Sequence, residues 1–129
     1  MKILFAEDDD LMRNSLTFYL NNNGYTVTAV GNGMLVKEQL NANQFDLIIT
    51  DLNMPFLGGM EVINFVRNEL KLATPIIVLT AFGIEKAELD AFEIGASEFI
   101  SKPFSPSVLK ARIEKLLARQ KREINNNEG

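Results

Sequence analysis

The chain contains no cysteine and no histidine among its 129 residues. Without cysteine there is no disulfide framework, no thiolate nucleophile and no thiolate-held metal. Without histidine the Ser-His-Asp and Cys-His triads, imidazole zinc sites and the usual near-neutral general base are excluded. Carboxylates, hydroxyls, lysine and backbone groups remain, and a cluster of such hard oxygen ligands favours magnesium, manganese or calcium. Long apolar runs are also lacking. Nothing approaches the ~20 residues that span a bilayer, and no charged-then-apolar leader opens the chain, so a cytoplasmic protein with no membrane contact is expected. With 47% hydrophobic and 23% charged residues the composition is that of a globular domain. At this length one domain can bury about two-thirds of its unfolded surface.

The net charge of −4 is unevenly spread. Residues 1–101 hold 14 acidic and 6 basic side chains, whereas residues 102–129 hold 7 basic and 3 acidic ones. A basic last helix suits a solvated face or a partner surface, and no DNA-reading motif or aromatic-basic interleaving accompanies it. No direct nucleic-acid binding by this domain is expected.

Apolar runs and helical patterns alternate along the chain. Ile3–Ala6 reads as a first strand. Leu11, Ser15-Leu16 and Tyr19-Leu20 have helical spacing, with Asp9 or Asp10 able to cap and Gly24 suited to the turn beyond. Tyr25–Val30 alternates like an edge strand, Met34–Leu40 is a short helix, and Phe45–Thr50 is a third strand. Met60, Val62-Ile63 and Val66 mark a third helix after Gly58-Gly59. Pro75–Leu79 is a buried strand opened by proline, Ile84–Ile94 a helix stopped by Gly95, and Phe99–Ser101 a short fifth strand. Ser105 and Pro106 then begin a last helix with Leu109, Ile113 and Leu116-Leu117 on one face. The pattern is (βα)5, a doubly wound parallel sheet with helices on both sides. Residues 1–122 form the expected domain, and 123–129 a disordered tail, the start of a linker or an appended remnant.

Asp51 closes the third apolar run and is followed at once by Leu52-Asn53-Met54-Pro55. Such a run reads as a buried parallel strand that delivers one acid to the C-terminal sheet edge, where open α/β sheets bind ligands. The same edge receives Glu7-Asp8-Asp9-Asp10 from the first strand, Thr80 from the fourth and Lys102 from the fifth. Carboxylates this close resist ionising together unless a cation bridges them. A hard divalent ion does so, leaving Asp51 free to act as a nucleophile toward a phosphoryl group. In-line transfer then needs its equatorial oxygens neutralised, which the metal, Lys102 and the Thr80 hydroxyl can share. Each part also has a plainer role: Glu7 and Asp8 suit helix capping, Thr80 a strand end, and Lys102 a solvated surface.

The motifs Ala6-Glu7-Asp8-Asp9, Thr50-Asp51-Leu52-Asn53-Met54-Pro55, Leu79-Thr80-Ala81 and Lys102-Pro103-Phe104 occur in order. Over about residues 2–119 the chain resembles the receiver domain of bacterial two-component response regulators. The resemblance implies a flavodoxin-like, CheY-like five-stranded parallel sheet of order 2-1-3-4-5 and makes Asp51 the acceptor that becomes 4-aspartylphosphate. It also implies a Mg2+ ion (or Mn2+) held by Asp8, Asp51 and the Asn53 backbone carbonyl, with Glu7 acting through water. Thr80 and Phe99 would be the switch pair, Lys102 would ion-pair with the acyl phosphate, and the Lys102–Pro103 peptide would be cis. The donor would be a sensor histidine kinase or a phosphotransfer protein, because a chain without histidine cannot supply the phosphohistidine itself.

Glu7 stands where the family often has Asp, and Phe99 where Tyr is frequent. Phe82, bulky and two residues past Thr80, is expected to slow phosphoryl loss. The run from Lys102 to Gln120 resembles receivers attached to winged-helix DNA-binding domains, which commonly pair through the fourth helix, fifth strand and fifth helix. Arg112 and Arg119 match the basic residues of that face. Ser97 and Glu88 do not match its usual acidic and basic positions. Against this phosphorylation switch stand two other classes. An unphosphorylated interaction module usually loses one of Glu7, Asp8, Asp51, Thr80 and Lys102. A phosphatase or transferase of the aspartyl-phosphate type would need an acid where Asn53 stands. The expectation is therefore no enzyme beyond self-catalysed phosphotransfer and slow autodephosphorylation.

Overall fold

The computed structural model describes residues 1–81 and 85–128, with side chains described throughout except at 85–88 and 125–128. Phe82 lies outside the described residues, as does the side chain of Glu88. The elements are β1 (Lys2–Ala6), α1 (Asp10–Asn22), β2 (Thr26–Val30), α2 (Gly33–Ala42), β3 (Leu47–Asp51), α3 (Gly59–Asn64), β4 (Ile76–Ala81), α4 (Glu85–Ile94), β5 (Glu98–Lys102) and α5 (Pro106–Glu128). The five strands form one parallel sheet in the order β2-β1-β3-β4-β5. This is the doubly wound (βα)5 arrangement anticipated from the alternation of apolar runs and helical patterns.

Successive strand residues face opposite sides of a sheet, so each buried strand feeds two cores. Leu4, Ala6, Ile48, Ile76 and Val78 pack with Val36 and Leu40 of α2, Val62 and Ile63 of α3, and Ala91 of α4. Ile3, Phe5, Leu47, Ile49, Ile77, Leu79 and Ile100 face Leu16 and Leu20 of α1 and Leu109, Ile113 and Leu116 of α5. Each fully buried Leu, Ile or Phe contributes roughly 1.5–3 kcal/mol by leaving water. The central strand β3, buried on both faces, is consequently the rigid stem on which Asp51 sits. β2 lies at the sheet edge, as its alternation suggested.

Asp9 caps α1, its carboxylate accepting the Met12 N–H at 2.8 Å. Gly24 follows the helix at φ +92°, a conformation that costs glycine nothing. Three features depart from expectation. Leu11, placed on the apolar stripe of α1 by spacing, is exposed because the stripe that meets the sheet runs through Met12, Leu16 and Leu20 at i, i+4 spacing and leaves Leu11 to one side. The third helix leaves α geometry after Asn64 and ends in a π-helical turn, Phe65–Glu69, for which the apolar spacing carries no signal. α5 continues to Glu128 although the expected domain ended at 122. Among its described side chains the last in the core are Leu116 and Leu117, and the run Gln120–Glu123 of strong helix formers carries the backbone onward.

Candidate functional site

At the C-terminal edge of the sheet, neighbouring strands bring three acids and a lysine together. Glu7 follows β1 and is wholly buried. Its N–H donates to the Val30 carbonyl, and its own carbonyl accepts from Arg13 Nη1 at 2.8 Å. Asp51 ends β3 and is buried, while Asp8 is exposed at the mouth. One oxygen from each of Glu7, Asp8 and Asp51 lies within 4.8 Å of the others. Asn53, exposed in the following loop, donates its backbone N–H to Asp51 Oδ1 at 3.2 Å.

Lys102, the last residue of β5, spans the cluster. Its Nζ stands 2.6 Å from Asp51 Oδ2 and 2.8 Å from Glu7 Oε1. Burial alone would lower the lysine's affinity for its proton. Hydrogen bonds and charge from Asp51 and Glu7 outweigh this and raise the ammonium above its ordinary 10.5. Glu7 moves up too: burial, then the neighbouring Asp51, push its carboxyl from 4.5 to about 7 despite Lys102. The Lys102–Pro103 peptide bond is cis.

One lysine does not satisfy this group of acids. Glu7 Oε2 is buried and has no hydrogen-bond partner, which costs about 1–3 kcal/mol for a neutral acceptor and more for a charged one. An orphaned buried oxygen beside two further carboxylates is a donor set for a hard cation, and a metal ion fits there. An open hollow of about 730 Å³ adjoins it, lined by Asp8, Asn53, Pro55 and Phe56.

Thr80, on β4 next to the strand that carries Asp51, is buried, and its hydroxyl donates to the Ala81 carbonyl at 3.4 Å. Phe99 lies on β5 two residues behind the level of Thr80, in register with Val78. Its half-buried ring meets that of Phe92 edge-on, with centroids 4.3 Å apart. The sheet therefore joins Glu7, Asp8, Asp51 and Lys102 directly and leaves Thr80 and Phe99 outside their hydrogen bonds.

A family model described as "Response regulator receiver domain" matches residues 3–114. The chain belongs to the response regulator receiver domain family. This receiver is 41% identical over 119 residues to the transcriptional regulatory protein ResD of Bacillus subtilis, covering 92% of this chain and 48% of that one. It spans about half the length of the curated relatives it matches. Among solved structures it superposes on the Francisella response regulator 1452 receiver domain with a TM-score of 0.85 and 28% identity, covering 92% of this chain and 98% of that one. Response regulator TrrA of Thermotoga maritima, solved in complex with Mg(2+)-BeF, superposes with a TM-score of 0.79 and 30% identity, covering 89% and 97%.

Sequence reasoning missed two supports of the receiver's site. Arg13 holds the Glu7 carbonyl and pairs with Asp10; the i,i+3 spacing could have signalled the pair with Asp10, but nothing in the sequence marks the contact with Glu7. Gly59 stands in the sequence only as the residue before the third helix. A Cβ there would stand 2.5 Å from the Asp51 carbonyl oxygen, so α3 starts against the strand end only because the residue is glycine. Among the described residues no helix is long and apolar enough to cross a membrane. Arg112, expected on a pairing face, bonds Glu98 of its own chain at 2.9 Å.

Proposed function

We propose that the chain is the phospho-accepting receiver of a two-component response regulator, with Asp51 as the acceptor. The observation that carries this reading is the buried Asp51 carboxylate, 2.6 Å from Lys102 Nζ, beside the acidic pair and the orphaned Glu7 oxygen. Asp51 attacks the phosphorus of a phosphohistidine on a histidine kinase or phosphotransfer protein. The P–N bond breaks, and the departing imidazole takes up a proton. Lys102 neutralises one phosphoryl oxygen, and the Thr80 hydroxyl turns to donate to another. Asp8, Asp51 and the Asn53 carbonyl would hold Mg2+ (or Mn2+), with Glu7 acting through water. The ion supplies charge neutralisation at the phosphoryl oxygens. The Mg(2+)-BeF complex of TrrA supports this assignment.

Movement of Thr80 vacates space toward which the Phe99 ring can turn, leaving its contact with Phe92 and reshaping the surface of α4, β5 and α5. That face would then pair with a second copy or contact an attached effector. The names of the relatives favour transcriptional control as the output. Residues 1–122 would form the working domain, which stores a phosphoryl group and turns over no separate substrate. Incubation with a small phosphodonor and Mg2+ should give one hydroxylamine-labile adduct by mass spectrometry. Asp51→Asn should abolish it, and an equal adduct in that variant would overturn the reading.

A further inference from the structure

The loop after Asp51 is held from outside the site by the start of α2. Gly33, the first residue of that helix, is buried and donates its N–H to the Leu57 carbonyl at 3.1 Å. A Cβ added to Gly33 would overlap Leu57 O and stand 2.8 Å from Leu57 Cβ and 2.9 Å from Leu57 C. None of these is the end of a flexible side chain. Even alanine would force the loop back until those contacts exceed the 3.0 Å that real Cβ atoms respect.

The loop is built to pass such a push along. Pro55 has its φ fixed by its ring. Phe56 sits at φ +68°, where a bulky residue persists only if its surroundings hold it. Leu57 N–H returns to the Pro55 carbonyl at 2.8 Å, and Gly59 N–H to the Leu52 carbonyl at 2.9 Å. At the far end Gly59 abuts the Asp51 backbone and leaves no slack. Asn53 lies between the two fixed points.

We propose that Gly33 is a positioning residue for the divalent-cation site, setting the place of the Asn53 carbonyl through Leu57. The proposal rests on the reading of Asp8, Asp51 and that carbonyl as ligands. It has a chemical signature. Mg2+ demands near-ideal octahedral geometry with short bonds, whereas Ca2+ accepts longer and more variable ones. A loop displaced by a fraction of an ångström penalises Mg2+ more than Ca2+. Intrinsic helix preference runs the other way, because alanine is favoured over glycine within a helix.

The test is calorimetric titration of wild type, Gly33→Ala and Gly31→Ala with Mg2+ and with Ca2+, alongside thermal unfolding in EDTA. Gly31→Ala is the control, since a Cβ there would meet Arg13 Nη1 at an ordinary 3.4 Å. Gly33→Ala should lose about tenfold or more in Mg2+ affinity, within the range for residues that orient metal ligands, and about threefold or less for Ca2+. Gly31→Ala should bind as wild type does. A folded Gly33→Ala with unchanged Mg2+ affinity, or with equal losses for both cations, overturns the role of Gly33 alone. Failure of the wild type to bind Mg2+ overturns the ligand assignment and the proposal with it. If Gly33→Ala does not fold, amide NMR of the wild type decides. The Gly33 cross-peak should shift during Mg2+ titration with the same midpoint as Asn53, and a Gly33 signal that stays in place refutes the coupling.

Discussion

Raising the pH toward neutrality without divalent cations should cost this receiver stability, and Glu7 sets the window. Its carboxyl titrates at 4.5 when unperturbed and is pushed up to about 7 in the fold, by burial first and then by Asp51. Between those values the native chain keeps a proton that the unfolded chain has released. The stability this group contributes is therefore complete below about 4.5, falls as pH rises through the window, and levels off above about 7. At 1.36 kcal/mol per pH unit the gap corresponds to roughly 3 kcal/mol. That is a large share of the 5–15 kcal/mol typical of a folded domain. Lys102 does not blur the window, because its raised titration lies above 10.5 and its pairing is lost only in strong alkali. Glu7→Gln keeps the side-chain shape and removes the titration. In EDTA, urea unfolding followed by circular dichroism at 222 nm should show wild type losing roughly 2.5 kcal/mol between pH 5 and pH 8 relative to Glu7→Gln. Mg2+ added at pH 8 should restore much of that loss in wild type only, and binding near pH 6 should release protons. Parallel pH profiles for the two proteins would refute the reasoning.

Two further substitutions test the frame around the site. Asp9→Ala removes the carboxylate that accepts the Met12 N–H at the start of α1. It should cost about 1 kcal/mol and lower Tm by about 4 °C, without altering adduct formation at Asp51. An unchanged Tm would show that the cap adds nothing. Arg67→Met strips donors from the Gly95 and Leu72 carbonyls, which accept from Nε at 3.0 Å and Nη1 at 2.8 Å. The expected loss is about 2 kcal/mol by urea titration. Arg67→Lys should recover less than half of it, because an ammonium cannot reproduce the guanidinium fork. Full recovery by lysine would mean that charge near the end of α4, rather than the paired geometry, is what matters.

The sheet was legible because each strand is a short apolar run between turn signals, and such runs in alternation with helical spacing permit few topologies. The gathering of the candidate site was legible for a related reason. In a parallel sheet all C-terminal ends share one edge, so Glu7, Asp51, Thr80 and Lys102 converge once the strands are placed. Spacing says which edge a side chain reaches but not which neighbour it takes there. Lys102 was expected against a phosphoryl group, and in this structure it bridges Asp51 and Glu7. Both arrangements follow from a cation beside two buried acids, and the partner depends on which anion is present.

What escaped the sequence are contacts whose cause lies in another element's backbone. Arg67 carries no mark that it will reach the carbonyl of Gly95, 28 residues on. Burial pulls its guanidinium below its ordinary titration range, and it answers two carbonyl groups instead of a carboxylate. Gly95 makes room for it: at φ +119°, a Cβ there would stand 2.7 Å from Arg67 Cγ. The stop signal read for α4 and the π-helical turn of Phe65–Glu69 are thus two halves of one joint. A single-residue vocabulary of caps and breakers names each half and cannot pair them. Gly33 and Gly59 obey the same logic around Asp51, where backbone approaches backbone so closely that a Cβ would have no room.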